Sequence, residues 1–433
     1  MDVKLDFSIA SLGERKVPSP LGLSNQVDDG LADYTRDDDR VVYDPAGRES
    51  EQFFERAGPR ELNYFRGEDV TAGIVTCGGL CPGMNNVIRE LVRRLWYRYG
   101  VRRILGFRYG FLGMTAASPE KPLPLDPEVI HDIHRQGGTM LGSSRGPQKA
   151  ADMADFLDEK GVNVLFAVGG DGTMRGALSL YEEVRRRGLQ IAVVGVPKTV
   201  DNDVRYIEKT FGFETAVAVA TSAIDAARVE ATGAPHGIGL VRLMGRHSGF
   251  IAASAAIASR EANLLLVPEL PFDLHGEKGI MHYLRWRMET RGHALVIVAE
   301  GAGQSYLQAA AGRDASGNVK LGDIGIFMRD TIARELSDLD VTVKYIDPSY
   351  MVRAAPANAA DAIFCGQLAE GAVHAAMAGK TGLVLGYWLG RFTHVPLTAV
   401  TTGRKVISLD SSFWRNALEA TGQPMVLTAG ARC

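Results

Sequence analysis

The sequence predicts an α/β protein of two doubly wound, Rossmann-like lobes with parallel-rich sheets. Three observations predict it. Val164-Leu165-Phe166-Ala167-Val168 and Ile191-Ala192-Val193-Val194-Gly195-Val196 are uninterrupted apolar runs, the pattern of parallel strands covered on both faces. Each ends in a polar cluster: Gly169-Gly170-Asp171-Gly172-Thr173 after the first, Pro197-Lys198-Thr199-Val200-Asp201-Asn202-Asp203 after the second. The order strand, polar tip, helix recurs through most of the chain, as a series of βα units requires. Ligands of open α/β sheets bind beyond the carboxyl ends of the strands, so both clusters are expected to face one site, between the lobes.

A chain of 433 residues has room for two or three structural units and a large core. Its 46% hydrophobic and 23% charged residues are the proportions of a soluble globular enzyme. A net charge of −3 gives no electrostatic case for a nucleic-acid partner. Met1-Asp2-Val3-Lys4-Leu5-Asp6 lacks the basic-then-apolar order of a secretory signal, and no apolar stretch is long enough to span a bilayer. The expectation is a cytoplasmic protein with no membrane partner. Cys77 and Cys81 flank a glycine-rich turn and no second ligand pair follows, so these two, Cys365 and Cys433 read as buried or partly buried thiols rather than zinc ligands.

Residues 1–69, with Pro18, Pro20, an acidic run at Asp37-Asp38-Asp39 and little periodicity, read as an extended arm wrapping the domain or a neighbouring subunit. Val70–Thr76 is the first strand. Gly78–Gly83 is a glycine turn, and Val87, Leu91 and Leu95 mark a helix over 84–98. A glycine turn between strand and helix aims backbone N–H groups at an anion, although glycine serves the same joint for steric reasons alone. Residues 104–107 read as a strand and 127–135 as a helix. The small-residue loop Gly137–Pro147 holds one cation, Arg145, whose expected role is a phosphate contact. Met174–Arg187 is the crossover helix between the two opening runs.

Beyond Asp203 the pattern predicts helices over 215–231, 250–259, 277–290, 323–337 and 357–378. Strands are expected over 238–243, 264–267, 294–299, 341–346 and 381–388, with a polar loop at 347–353.

Gly170-Asp171-Gly172-Thr173 suits a nucleotide phosphate: the glycines permit close approach, Asp171 can hold hydrated Mg²⁺, and Thr173 would open the helix as N-cap. A plain turn residue is the alternative for Asp171. If Thr199–Asp203 is extended, its two aspartates point in alternating directions. One could then take a proton from a hydroxyl while the other fixes a turn; an Asx-rich helix cap is the alternative. Phosphoryl transfer needs a base at the acceptor, a metal, and cations on the moving group. Arg246, Glu300, Lys344 and Arg353 are each placed at or just beyond a strand tip, where converging cations can hold a substrate phosphate and Glu300 a sugar hydroxyl.

With these residues in view, the chain resembles the A-type phosphofructokinases from about residue 70 to about residue 390. The motifs are GGLCPGMN (78–85), GSSRGP (142–147), GGDGT (169–173), PKTVDND (197–203), MGRHSG (244–249) and AEG (299–301). GDIG (322–325) and TGQP (421–424) are most similar to the plant and trypanosomatid ATP-using branch, which also carries an N-terminal extension. The resemblance implies an N-terminal extension (1–69), a nucleotide lobe (70–213 plus about 354–400), a sugar-phosphate lobe (214–353) and a C-terminal tail (about 401–433).

It implies ATP-dependent 6-phosphofructokinase activity with Mg²⁺, fructose 6-phosphate as acceptor, and a homo-oligomer, dimer or tetramer. Asp201 would be the base for the 1-hydroxyl, with Thr199 and Arg246 stabilising the transferred group. Gly78, Arg145, Gly146, Gly170, Asp171, Gly172 and Thr173 would surround the nucleotide phosphates, Asp171 also engaging the metal. Thr199, Val200, Asp201, Met244, Gly245, Arg246 and Glu300 would hold the sugar. Tyr350 with Arg353 would meet its 6-phosphate, Met351 and Val352 would also be among the substrate-binding residues, and Lys344 falls where the family uses an arginine reaching into a neighbour's site.

Two positions depart from the bacterial ATP enzymes: Gly237 stands where they carry an arginine, and Lys198 where they carry glycine. Pyrophosphate-using enzymes also have lysine at 198, but their residue at 172 is typically aspartate, which would oppose the α-phosphate of ATP by bulk and charge. Gly172 therefore points to ATP. The alternatives are a pyrophosphate-dependent enzyme and a catalytically silent sugar-phosphate-binding regulatory subunit.

Overall fold

In the computed structural model of the chain, residues 6–26, 29–44, 52–308, 312 and 319–428 are described; Cys433 and the extreme ends of the expected arm and tail lie outside them. The N-terminal region forms five short strands, β1 (Ala10–Ser11), β2 (Val17–Pro18), β3 (Arg40–Val42), β4 (Phe53–Arg56) and β5 (Leu62–Asn63). Next come β6 (Thr71–Thr76), α1 (Met84–Arg98), β7 (Arg103–Phe107), β8 (Leu123–Pro124), α2 (Ala150–Glu159), β9 (Val164–Gly169), α3 (Asp171–Arg186) and β10 (Ala192–Pro197). The middle of the chain runs α4 (Phe213–Thr232), β11 (Gly237–Leu243), α5 (Phe250–Ser259), β12 (Leu264–Leu266), α6 (Ile280–Arg291), β13 (His293–Ala299), α7 (Ile324–Glu335) and β14 (Thr342–Ile346). It closes with α8 (Ser349–Ala354), α9 (Ala359–Met377), β15 (Lys380–Thr381), β16 (Leu383–Trp388), β17 (Arg391–Pro396), α10 (Leu397–Val400) and α11 (Ser412–Thr421). None of the described helices is long and apolar enough to cross a membrane.

These elements form two compact units. The first comprises Met1–Thr199, Val204–Gly212 and Ala354–Arg404; the second Val200–Asp203, Phe213–Arg353 and Lys405–Cys433. The first holds a nine-stranded sheet of order β3-β4-β17-β16-β10-β9-β6-β7-β8, whose members β16, β10, β9, β6 and β7 run parallel. Every residue of β6, β9 and β10 is buried, which is why the sequence reads there as unbroken apolar runs. Because β7 and β9 lie on opposite sides of β6, the chain reverses its winding between β6 and β9. That reversal opens the crevice in which such sheets take their ligands.

The second unit carries a parallel four-stranded sheet of order β12-β13-β11-β14, with Ile238, Leu240, Leu264, Val296, Met328 and Ile332 in its core.

The N-terminal region packs on its own unit. β3 and β4 extend the nine-stranded sheet through β17, and Phe7, Tyr43 and Phe54 form an aromatic cluster with Tyr206 and Trp388. From Lys405 onward the C-terminal segment packs on the second unit. There the Gln423 side chain accepts from Leu265 N–H at 2.6 Å and donates to Leu265 C=O at 3.3 Å, filling in for a neighbour along edge strand β12.

Several expectations are corrected. Residues 127–135 are not an α-helix: Pro127 follows Asp126, whose carboxylate accepts from the Glu128 and Val129 N–H groups and makes a turn, and only the short 3₁₀ turn Ile133–Arg135 is helical. The expected loop 347–353 contains α8, started by Asp347 accepting from Ser349 N–H and Oγ–H. The strand expected over 381–388 breaks at Gly382 (φ +68°) into β15 and β16. A further strand, β17, returns antiparallel through a two-residue turn with Leu389 at φ +47° and Gly390 at φ +75°.

Candidate active site

In the first unit the loops at the carboxyl ends of β6, β9 and β10 knit together. Cys77 N–H donates to Val168 C=O at 2.9 Å and Lys198 N–H to Gly169 C=O at 2.9 Å, holding the three tips level. The loop carrying Arg145 is tied down by Ser143 Oγ donating to Gly78 C=O (2.5 Å) and by Gly78 N–H donating to Ser144 C=O (3.2 Å). Lys198 Nζ crosses to donate to Gly79 C=O at 2.6 Å. Gly78 sits at φ +84°, and a Cβ there would lie 3.2 Å from that ammonium; one at Gly79 would lie 3.5 Å from Arg145 Nη2. Gly78, Arg145, Lys198 and Gly170 thus share one crevice lined by backbone amides and cations. Its cationic lining, at a helix start, suits a polyanion.

Helix α3 begins earlier than its sequence signal. Gly170, extended at φ −90°, is its N-cap and Asp171 its first residue, so Thr173 lies within the first turn rather than capping it. Thr173 is buried there, and a Cβ on Gly169 would fall 2.1 Å from its Oγ1. Asp171 is well placed at the positive end of the helix. Its Oδ2 accepts from Arg175 Nη2 at 2.7 Å and from Arg404 Nη2 at 2.9 Å. A Cβ built on Gly172 meets nothing within 4 Å, so the space beside that position is open.

Cys77, Cys81 and Cys365 are all buried free thiols; burial pushes the Cys77 thiol up to about 12.

Thr199–Asp203 is not extended: Val200 and Asp201 form a turn, and Asn202 takes the left-handed conformation (φ +52°) that asparagine tolerates. The aspartates therefore do not alternate along a strand. Thr199 C=O accepts from Thr210 Oγ at 2.7 Å. Within the second unit, Asp201 C=O accepts from Ser248 Oγ at 3.2 Å and Asp203 C=O from Lys405 N–H at 2.9 Å.

In the second unit β11 lies between β13 and β14, so the three tips are neighbours. Glu300 N–H donates to Leu243 C=O (2.9 Å) and Gly301 N–H to Gly245 C=O (3.1 Å), which sets Glu300 beside Met244-Gly245-Arg246. A Cβ on Gly245 would lie 2.4 Å from Ser248 C=O, and one on Gly301 2.0 Å from Arg246 C=O; both backbones close too tightly for a side chain. Arg246 Nη2 donates to Val319 C=O. Tyr350 and Met351 stand 84% and 67% exposed on α8, whereas Val352 is buried and Arg353 half-buried.

Lys344 is not at a tip. It sits inside β14 opposite Gly239 and pairs with Glu230 at 3.6 Å.

Four residues that organise the strand tips of the two units were not singled out by the sequence. Arg242, near the end of β11, has a side chain only 15% exposed and reaches Glu300 at 3.0 Å and Asp347 at 2.6 Å, joining the β13 tip to the start of α8. A cation inside an otherwise apolar strand was the available signal. Asp347 is half-buried; burial raises its carboxyl, but Ser349 and Arg242 outweigh that and hold it below its usual value. Arg175 and Arg404, which grip Asp171, gave no such signal.

The sequence model of the family described as Phosphofructokinase matches residues 71–376. The chain is 44% identical over 436 residues to "ATP-dependent 6-phosphofructokinase" of Borreliella burgdorferi, covering 97% of each chain. It is 47% identical over 372 residues to the protein of that name from Trypanosoma cruzi, covering 85% of this chain and 76% of that one. The fold is similar to the crystal structure of a pyrophosphate-dependent phosphofructokinase from Marinobacter aquaeolei, with a TM-score of 0.68 at 20% identity over 81% of this chain and 91% of that one.

Proposed function

Since the chain belongs to the phosphofructokinase family, we propose that it is an ATP-dependent 6-phosphofructokinase. It transfers the γ-phosphoryl group of ATP to the 1-hydroxyl of fructose 6-phosphate. The products are fructose 1,6-bisphosphate and ADP. The observation that carries the donor assignment is the open space at Gly172, which leaves room for a nucleotide's α-phosphate.

The donor's phosphates would lie among Gly78, Arg145, Gly146, Gly170, Gly172 and Thr173, where the tip loops bring the Arg145 and Lys198 cations close to the glycine turn. Asp171 would hold a magnesium ion carried in with the nucleotide and shared with its phosphate oxygens; among the described residues no group of three acidic, His or Cys side chains is placed to hold a metal alone. At Asp171 such an ion would supply neutralisation of charge on the phosphates. The sugar would be held by Met244, Gly245 and Glu300, with the Tyr350–Arg353 helix at its 6-phosphate.

Asp201 takes the proton from the 1-hydroxyl as that oxygen bonds to the γ-phosphorus, while the bond to the β–γ bridging oxygen breaks and ADP leaves. Thr199 and Arg246 stabilise the phosphoryl group in flight. The exposure of Tyr350 and Met351 in the single chain supports a homo-oligomer, dimer or tetramer, and a glycolytic enzyme of this kind would work in the cytoplasm. A coupled assay with fructose 6-phosphate, supplied with ATP or pyrophosphate separately, tests the reading. Turnover with pyrophosphate alone would sink the donor assignment; turnover with neither would sink the enzyme.

A further inference from the structure

We propose that Arg404, in the segment after β17, is a positioning residue for the phosphoryl donor, acting through Asp171; this rests on the donor site proposed above. Its guanidinium meets Asp171 Oδ2 at 2.9 Å, on the same oxygen that accepts from Arg175. A single carboxylate gripped by two guanidinium groups is over-neutralised. With Lys198 and Arg145 nearby in the tip loops, it is the setting for a polyphosphate rather than for a bare cation.

The backbone fixes where Arg404 stands. It pairs with Val204 in an antiparallel bridge, and Thr402 Oγ accepts from Arg205 Nη1 at 3.2 Å. The next residue, Lys405, donates its N–H to Asp203 C=O at 2.9 Å. Residues 402–404 therefore lie along residues 204–205, and the Arg404 side chain ties Asp171 to that stretch of the first unit.

The test compares the full-length protein with Arg404→Ala and Arg404→Lys. Calorimetric titration with MgATP, and with ATP plus EDTA, reads donor binding; steady-state kinetics read KM for each substrate. Loss of the charge-assisted hydrogen bond that holds Asp171 in place predicts about a 10-fold weaker MgATP affinity and a matching rise in KM for ATP. KM for fructose 6-phosphate should be unchanged, and lysine should restore part of the loss. Unchanged MgATP affinity in Arg404→Ala, or an equal rise in both KM values, overturns the proposal, as does a lysine variant no better than alanine. Because the titration needs no turnover, it judges Arg404 even if the wild-type protein fails to make the bisphosphate, which would instead count against the proposed function.

Discussion

Replacing Gly172 with aspartate should separate stability from donor use. The substituted Cβ meets no atom within 4 Å and Gly172 has no positive φ, so the fold accepts the side chain. The position is the second residue of α3, where a carboxylate faces the positive end of the helix and glycine's extra chain entropy is removed. Each effect is worth roughly 0.3–1 kcal/mol, so the variant should melt at the same temperature as the parent or a few degrees higher. Against ATP the sign reverses. A carboxylate at about 4 Å from an α-phosphate oxygen, at an effective dielectric near 20, costs about 4 kcal/mol. That is roughly a thousandfold in ATP binding. Thermal melts, ATP kinetics and fructose 6-phosphate binding on one preparation check it. Unchanged ATP kinetics would refute the steric and electrostatic argument, and a variant that unfolds would refute the claim of open space.

The other predictions concern the base, the sugar phosphate and the arm. Asp201→Ser should lower kcat by about 100-fold or more with the fold intact, since the Ser248 bond goes to the Asp201 backbone carbonyl; near-normal turnover would remove Asp201 from the role. Arg353→Ala should raise KM for fructose 6-phosphate by about 10-fold or more while sparing ATP. An effect confined to ATP would contradict it. Burial alone would raise the Glu55 carboxyl, but the His394 hydrogen bond and the Lys380 ammonium, each at 3.0 Å, outweigh it and hold the group well below its ordinary value of 4.5. A depressed carboxyl stabilises the fold above its unfolded pKa and loses that contribution as pH falls. Denaturation midpoints of Glu55→Gln should thus trail the parent's most above about pH 4.5 and converge with them in acid. A constant gap at every pH would contradict this account.

What the sequence disclosed followed from burial. Strands β6, β9 and β10 are covered on both faces, so their runs carry no polar interruption and their tips stand out. Helix α5 was readable to its last residue, because the apolar stretch ends at Ser259 and Arg260 turns left-handed at φ +55°. Local turn chemistry was harder to see. Asp126 and Asp347 are both acidic residues beside a proline, yet the first makes a turn that ends helix formation and the second starts α8. Nothing within either window distinguishes them. The ion pairs that set the site were invisible for a different reason: Arg404 meets Asp171 across 233 positions and Arg242 meets Asp347 across 105, and hydrophobic periodicity carries no information about partners so far apart.

The glycine at 237 shows how one such departure is accommodated. A Cβ there would lie 2.1 Å from Ala231 C=O, and one at Gly239 2.7 Å from Ala227 C=O. Both carbonyls belong to α4, so the helix backbone rests directly on the amino half of β11 and leaves no volume for any side chain, least of all an arginine. The cation that bacterial ATP enzymes place here could be restored only by lifting α4 off the sheet, at the cost of contacts along two turns. One contact to the 6-phosphate would then have to come from elsewhere, and on the proposed assignment Arg353 on α8, at the opposite end of the sheet, would supply a contact of its own. That places a premium on the start of α8, which Arg242 fixes through Asp347 at 2.6 Å while also holding Glu300 at 3.0 Å. On that assignment, close packing at one end of β11 and the largely covered Arg242 side chain near the other would both serve to present the sugar phosphate.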